Sequence, residues 1–195
     1  SCLAVLCLGL SVPALAQAGQ DDAKPTAWTE KVLPLDTVEK VSMPPVDVEA
    51  LKAEDAEVAA TGVKSLRYAA SMKVDLSPDN AGTWERLGAD TMLWRLRVHS
   101  DGAHTLSLHF AHPVLPEGTE LWIYDPRAGL TLGPYGADRV APSGLWTPPV
   151  AGEDVVVELH LPAERLGELR LGEAQAFQGL ARGDVWDELL RLGLR

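Results

Sequence analysis

Apolar and polar residues alternate along residues 91–110 in two short runs. Because side chains on a strand point alternately to opposite faces, the first run gives one apolar face, made of Met92, Trp94, Leu96 and Val98. The second run gives another, made of Leu106, Leu108 and Phe110. Ser100-Asp101-Gly102 lies between the runs and is a turn signal. The pattern therefore predicts two strands joined as a hairpin.

Further strand signals follow at intervals of roughly ten residues, with Gly- and Pro-rich turns between them. Residues 120–124 place four bulky side chains in succession, which predicts a strand covered on both faces. Residues 154–161 alternate again, with Val155, Val157, Leu159 and Leu161 on one face. Helical periodicity is nearly absent here. We expect residues 65–178 to form an all-β domain, an antiparallel β-sandwich or jelly-roll-like fold.

The N-terminal part has a different texture. Residues 1–16 are uncharged and combine an apolar run with Ala14-Leu15-Ala16, which predicts a signal peptide. No methionine or basic residue precedes the apolar run, so we expect this signal to be clipped at its start. Residues 17–64 are acidic and rich in proline, which predicts a low-order segment. A short helix after Pro45 is one interpretation of this segment, and a tether that is only transiently helical is the other.

The C-terminal residues 179–195 predict a short helical tail. Asp184 would cap it, and an apolar stripe would follow, made of Val185, Trp186, Leu189 and Leu190. Helical spacing of three and four residues puts these side chains on one side. We expect the stripe to dock on the sheet or on whatever follows in a longer chain.

Charge and cysteine content narrow the classes of partner. The net charge of -11 and the pI of about 4.8 disfavour nucleic acid, whose phosphates an acidic chain repels. No basic amphipathic run suggests a membrane surface, and we expect no membrane contact after signal cleavage. Cys2 and Cys7 are the chain's two cysteines, and both lie in the predicted signal segment. The exported domain would therefore have no disulfide and would be stabilised by its core alone.

Candidate chemistry is sparse. His104, His109 and His112 lie close in sequence, but strand geometry puts His104 and His109 on opposite faces, so we expect no metal site there. No nucleophile motif, no paired catalytic carboxylates and no nucleotide-binding glycine pattern are present, so we expect no catalytic residue and no cofactor. The chain as given is thus predicted to be a non-enzyme.

The tryptophans offer the best candidates for a contact surface. Trp94 is in step with the inward-facing set of its strand, which predicts a core position. Trp122 is out of step with its neighbours Leu121 and Ile123, which predicts an exposed platform or an interface anchor. The predicted interface residues are Trp122, Tyr124, Trp186, Leu189 and Leu190.

Four motifs carry a family resemblance across residues 68–177. They are Trp-Arg-Leu-Arg at 94–97, Leu-Pro-Glu-Gly-Thr-Glu-Leu-Trp-Ile-Tyr at 115–124, Gly-Pro-Tyr at 133–135 and Leu-Trp-Thr-Pro at 145–148. The segment resembles the N-terminal prodomain of secreted bacterial lysyl-endopeptidase-like, trypsin-type serine proteases. None of these motifs is catalytic, and no position matches the histidine, aspartate and serine of that family's protease domain.

The resemblance implies a secreted or periplasmic β-rich propeptide whose partner is a serine protease domain, in cis or in trans. Such a domain would assist folding of the protease and hold it inactive until cleavage. Because no protease domain follows, a truncated or frameshifted gene and a stand-alone relative both stay open, as does a nonfunctional fragment. The alternative function is a stand-alone extracellular module that binds carbohydrate or a cell surface through an exposed tryptophan.

Overall fold

Two packed β-sheets form the body of the molecule in the computed structural model. The structure describes residues 23–62, 67–74, 76–127, 129–141, 143–172 and 174–179. Apart from short helices, the elements are strands, and the prediction of an all-β sandwich-like fold is confirmed.

The helical elements are few. In the described ranges the α-helices are α1 (Thr26–Thr29) and α2 (Val48–Ala60), and 3-10 turns lie at Leu35–Thr37, Ala137–Arg139 and Ala163–Glu168. Asp47 caps α2 by accepting a hydrogen bond from the Ala50 backbone N–H at 2.9 Å. The helix after Pro45 is thus present, and it buries none of its residues.

Within the described residues, sheet A contains six strands in the order β1-β4-β10-β6-β7, with β3 also paired to β4. They are β1 (Lys40–Ser42), β3 (Thr83–Leu87), β4 (Thr91–His99), β6 (Glu120–Tyr124), β7 (Thr131–Tyr135) and β10 (Asp154–Pro162). All these pairs are antiparallel except that of β1 with β4, which is parallel. The segment predicted as low order therefore contributes a strand to the edge of β4, and Val41 pairs with Val98.

Sheet B contains five strands in the part of the chain that the structure describes, in the order β2-β11-β5-β8, with β9 also paired to β5. They are β2 (Ala69–Val74), β5 (Thr105–Phe110), β8 (Leu145–Trp146), β9 (Val150–Ala151) and β11 (Ala174–Gly179). All the pairs in this sheet are antiparallel. The last described strand, β11, lies between β2 and β5 and holds both in place.

The hairpin predicted for residues 91–110 is wrong. The two runs are the strands β4 and β5, as expected, but β4 belongs to sheet A and β5 to sheet B. Ser100-Asp101-Gly102 thus connects the two layers. A local turn signal looks the same in both arrangements, because the partners of each strand are fixed by residues far away in sequence.

The core lies between the sheets and follows the predicted alternation. From sheet A it receives the fully buried Trp94, Leu96, Val98, Val155, Val157, Leu159 and Leu161. From sheet B it receives Leu106, Leu108, Phe110, Ala174 and Ala176. The Trp94 indole N–H donates to the Ala81 carbonyl at 2.8 Å, so this large side chain is buried with its polar atom satisfied. The prediction of a core position for Trp94 is confirmed.

Candidate contact surfaces

The outer face of sheet A is closed by the protein's own N-terminal strap, defined as residues 26–38. Trp122, Tyr124 and Val156 form a second apolar cluster on this face, and Leu35 of the strap packs against it. Trp28 of the strap meets Tyr124 edge to face, with 5.3 Å between ring centroids. Burial of this cluster by the strap removes apolar area from water on a face that strand alternation alone would leave open.

The prediction that Trp122 is exposed is therefore wrong. Trp122 is 2% exposed and Tyr124 is equally buried. The strap lies 84 or more residues away in sequence from both side chains, so no local pattern signals it. The continuous run of bulky residues in β6 did predict coverage of both faces, and that prediction is confirmed by Leu121, Trp122, Ile123 and Tyr124.

A buried carboxylate lies beneath the strap. Glu158 on the central strand β10 is 0% exposed. It accepts a hydrogen bond from the Tyr124 hydroxyl at 2.8 Å and one from the Ala27 backbone N–H at 3.2 Å. Burial raises the pKa of Glu158, while these hydrogen bonds and the charge of Arg95 oppose the rise. Burial and the adjacent Glu158 likewise raise the pKa of Tyr124 above its ordinary range.

Arg95 holds the N-terminal strap at Leu33. Its guanidinium is 3% exposed and donates to the Leu33 carbonyl at 2.8 Å and to Glu85 at 3.2 Å. Glu85 in turn accepts from the Leu33 backbone N–H at 3.0 Å. The strap is thus held by hydrogen bonds to ionised groups as well as by apolar contact, and such bonds are stronger than neutral ones. This polar arrangement is structural.

The outer face of sheet B has no such cover among the described residues. Trp146 is 58% exposed and stacks on His109, with 4.0 Å between ring centroids and 23° between the planes. Phe177 lies 5.2 Å from Trp146 on the same side. We call Trp146, His109 and Phe177 the aromatic face of sheet B. Neither ring nitrogen of His109 has a hydrogen-bond partner within the part of the chain that the structure describes.

This face could have been found from sequence parity. Leu145 is buried, so its neighbour Trp146 points outward, and Phe177 lies between the inward-facing Ala176 and Gln178. What sequence could not supply is the pairing of His109 with Trp146, which joins strands β5 and β8 across a long connection. The exposed aromatic side chains thus lie on sheet B, whereas the sequence predicted one on β6 of sheet A.

Metal-ligating side chains meet at one place in the described ranges. His99, Asp101 and Glu153 bring one ligand atom each to within 4.8 Å of the others. None of these belongs to the histidine set His104, His109 and His112 considered from the sequence. Glu153 accepts a hydrogen bond from the Gly102 backbone N–H at 2.9 Å, so its carboxylate fixes the turn that follows β4.

No helix in the described ranges has the length and apolar character that crossing a membrane requires.

Comparison with protein families matches residues 41–169 to the lysyl endopeptidase N-terminal domain. The chain belongs to this family. The resemblance seen in the four sequence motifs is thereby confirmed. The matched region is an N-terminal domain of lysyl endopeptidase-like proteases.

The boundaries of the lysyl endopeptidase N-terminal domain bear on the two outer faces. The match begins inside β1 and ends before β11, so it contains all of sheet A except the start of β1. The N-terminal strap and β11 both lie outside it. The family region thus contains Trp122 and Tyr124, whereas the residues that cover them come from outside it.

The predicted interface residues have different outcomes. Trp122 and Tyr124 are in contact with the strap and are not accessible on the surface. Trp186, Leu189 and Leu190 lie outside the described residues. The predicted signal peptide and the predicted C-terminal helix lie outside them as well.

Proposed function

We propose that this domain is the propeptide of a secreted serine protease of the lysyl endopeptidase type. In this role it assists folding of the linked protease and holds it inactive until cleavage. The observation that carries the proposal is the family match over residues 41–169, which covers the whole of sheet A apart from its first strand residue and most of sheet B.

The physical route is contact without chemistry. A domain with a fully buried core between two sheets offers a rigid surface. A protease chain that packs against this surface while it folds gains contact energy, which offsets part of the conformational entropy that folding costs. When both parts belong to one chain, the tether supplies a high effective concentration, so modest affinity is enough. Inhibition follows if the segment after the domain lies near the catalytic cleft as a poor substrate.

The choice of surface for contact with the protease domain depends on which side chains are already packed inside this domain. Trp122 and Tyr124 pack under the N-terminal strap, which argues against them as contacts. The C-terminal segment that carries Trp186, Leu189 and Leu190 is retained as the part of the domain that a protease domain would meet first, since it follows the sandwich in the chain. Residues 1–16 would direct export, and the domain would act in the periplasm or outside the cell.

The proposal is tested by refolding in trans. The catalytic domain of a lysyl endopeptidase is unfolded in denaturant and diluted with or without the purified 195-residue chain. We expect the chain to raise the recovered activity, measured after the chain is digested away, and to inhibit the folded catalytic domain before digestion. Serum albumin at the same concentration is the control for nonspecific protection.

Equal recovery with the chain and with albumin, together with no inhibition, would refute a propeptide role. The double variant Leu189→Asp/Leu190→Asp localises the contact. If the chain acts but this variant acts equally well, the propeptide role stands and the contact lies elsewhere on the domain.

A stand-alone carbohydrate-binding module is the second candidate, and one observation favours it. Trp146 is exposed and stacked on His109, which is the flat aromatic arrangement that a sugar ring can stack on. Titration with a broad glycan panel, followed by tryptophan fluorescence, tests this function. A saturable response that Trp146→Ala abolishes would support it, and a flat response across the panel would reject it.

A further inference from the structure

The two outer faces of the sandwich differ in whether a described segment of the chain covers their aromatic side chains. The outer face of sheet A carries large aromatic side chains and is covered by a segment of the same chain, the N-terminal strap. The outer face of sheet B also carries large aromatic side chains, yet Trp146 is 58% exposed among the described residues. Exposure of so large an indole in a cluster with a second ring is typical of a contact surface.

The chain itself leaves the described structure at this sheet. Strand β11 ends at Gly179, which pairs with Ala69 on one side and Thr105 on the other. Phe177 of the aromatic face lies two positions earlier on the same strand. Residues 180–195 therefore start from the middle of sheet B.

The segment is long enough to return over the face. Along β5, the distance from Thr105 beside Gly179 to His109 beside Trp146 is roughly 13 Å at ~3.3 Å per residue. Residues 180–195 span about 24 Å even if fully helical, at ~1.5 Å per residue. A helix after Asp184 can therefore lie across the aromatic face without strain on its connection.

The chemistry of the segment matches that of the face. Trp186, Leu189 and Leu190 have the spacing of one helix side, and Asp187 and Glu188 lie between them in sequence. On the sheet, Lys73, Gln175 and His109 are paired neighbours in one row that leads to Trp146. An apolar stripe with acidic neighbours would therefore complement an aromatic cluster whose row of paired residues ends in an exposed lysine.

We propose that residues 180–195 dock on the outer face of sheet B, with the stripe of Trp186, Leu189 and Leu190 packed against Trp146, His109 and Phe177. The C-terminal segment then covers sheet B as the N-terminal strap covers sheet A. The docked segment, rather than the bare sheet, becomes the surface presented to anything linked beyond it. This inference does not rest on the propeptide role.

Fluorine NMR of the full chain labelled with 5-fluorotryptophan tests the docking. The chain has six tryptophans, and Trp146→Phe assigns the signal of interest by its loss. We expect Leu189→Asp/Leu190→Asp to move the Trp146 signal towards that of a solvent-exposed indole and to leave the core Trp94 signal in place. The control is Arg191→Asp, which adds negative charge off the stripe and should leave the Trp146 signal unchanged.

Disulfide trapping gives a second, independent measurement. In a background of Cys2→Ser and Cys7→Ser, Ser107→Cys lies on the outer face of sheet B beside Phe177, and Leu189→Cys lies on the stripe. We expect their oxidative crosslink to form with a yield roughly tenfold above that of Leu189→Cys with Thr131→Cys on sheet A, because docking raises the local concentration. Intact mass spectrometry after mild oxidation measures both yields.

Three outcomes would overturn the docking. One is a Trp146 signal that ignores Leu189→Asp/Leu190→Asp, with equal crosslinking to both sheets. Another is a Trp146 signal that shifts with protein concentration, which would make a second copy the occupant. The third is a Trp146 signal that ignores the double variant and shifts on addition of a glycan, which would make a sugar the occupant.

Discussion

At the scale of single residues, Glu158 is the most unusual position in the described structure. It is a carboxylate with no exposed surface, in the central strand of sheet A, and its hydrogen bonds come from Tyr124 and the Ala27 backbone. A buried charge is costly unless it is well hydrogen-bonded. The residue therefore makes the stability of the sandwich depend both on its partners and on pH.

Replacement of Tyr124 by phenylalanine removes the hydroxyl that donates to Glu158 and keeps the ring. We expect the free energy of unfolding to fall by about 1–3 kcal/mol, the cost of leaving a buried polar group without its hydrogen-bond partner. Urea unfolding at neutral pH measures the change. Tyr135→Phe is the control, because Tyr135 is a partly buried tyrosine on the neighbouring strand β7 and has no bond to Glu158.

Glu158→Gln tests the pH dependence. Because burial raises the pKa of Glu158 above its ordinary value of 4.5, the folded state binds this proton more tightly than the unfolded state does. The contribution of Glu158 to stability is therefore fully present below pH 4.5 and is lost as pH rises through the raised pKa. We expect the stability of Glu158→Gln relative to wild type to increase over that interval.

Urea unfolding at a series of pH values measures the relative stability of Glu158→Gln. The exposed Glu117→Gln is the matched control, because it makes the same substitution at a position in contact with solvent. A constant difference for Glu158→Gln would mean that Glu158 does not carry the effect.

Gly172 is a second position where a single added atom, the Cβ of a larger residue, would lower the stability of the fold. Its φ is +69°, and a Cβ there would overlap the Ala111 carbonyl oxygen, which belongs to the backbone. Gly102 has a nearly equal φ of +72° and open space around its position. We expect Gly102→Ala to cost about 1–2 kcal/mol from backbone strain alone, and Gly172→Ala to cost clearly more, measured by thermal and urea unfolding. Equal losses would contradict the close approach.

At the scale of elements, the N-terminal strap does the work of an additional layer on sheet A. It has one short helix and one 3-10 turn, and it is held by Trp28, Leu35 and the bonds of Arg95 and Glu158. Immediately after it, β1 joins the edge of β4 in parallel. The strap and β1 together fix residues 26–42 to the sandwich, in a region whose composition alone suggests little order.

Trp28→Ala should loosen the strap. The edge-to-face contact with Tyr124 would be lost, and such a pair contributes roughly 0.5–1.5 kcal/mol beyond the area it buries. We expect faster amide hydrogen exchange in residues 26–38 with little change in the core strands β4 and β10, measured by mass spectrometry. Trp28→Phe keeps an aromatic ring and should restore most of the protection. Unchanged exchange in Trp28→Ala would show that the strap is held by its polar bonds alone.

At the scale of the whole molecule, the sequence pattern predicted which side chains face the core between the two layers, but it did not predict how the strands are connected. The inward sets of β4, β5 and β10 follow from strict alternation, because every second side chain must leave water. The fate of Trp122 does not follow from it, since its cover comes from Trp28 and Leu35 in a distant and weakly patterned segment. The prediction of a β4–β5 hairpin fails for the same reason, because Ser100-Asp101-Gly102 can turn the chain either within one sheet or between two.

The position of β11 has a consequence for how this molecule is made. Among the described strands, β2 pairs only with β11, and β11 is also the partner that joins β2 to β5. A growing polypeptide that has emerged only as far as residue 173 leaves β2 without a neighbour and β5 with a bare edge. Among the described strands, sheet B is complete only once β11 has been added, so until then the open edge of β5 can pair with a strand of another chain.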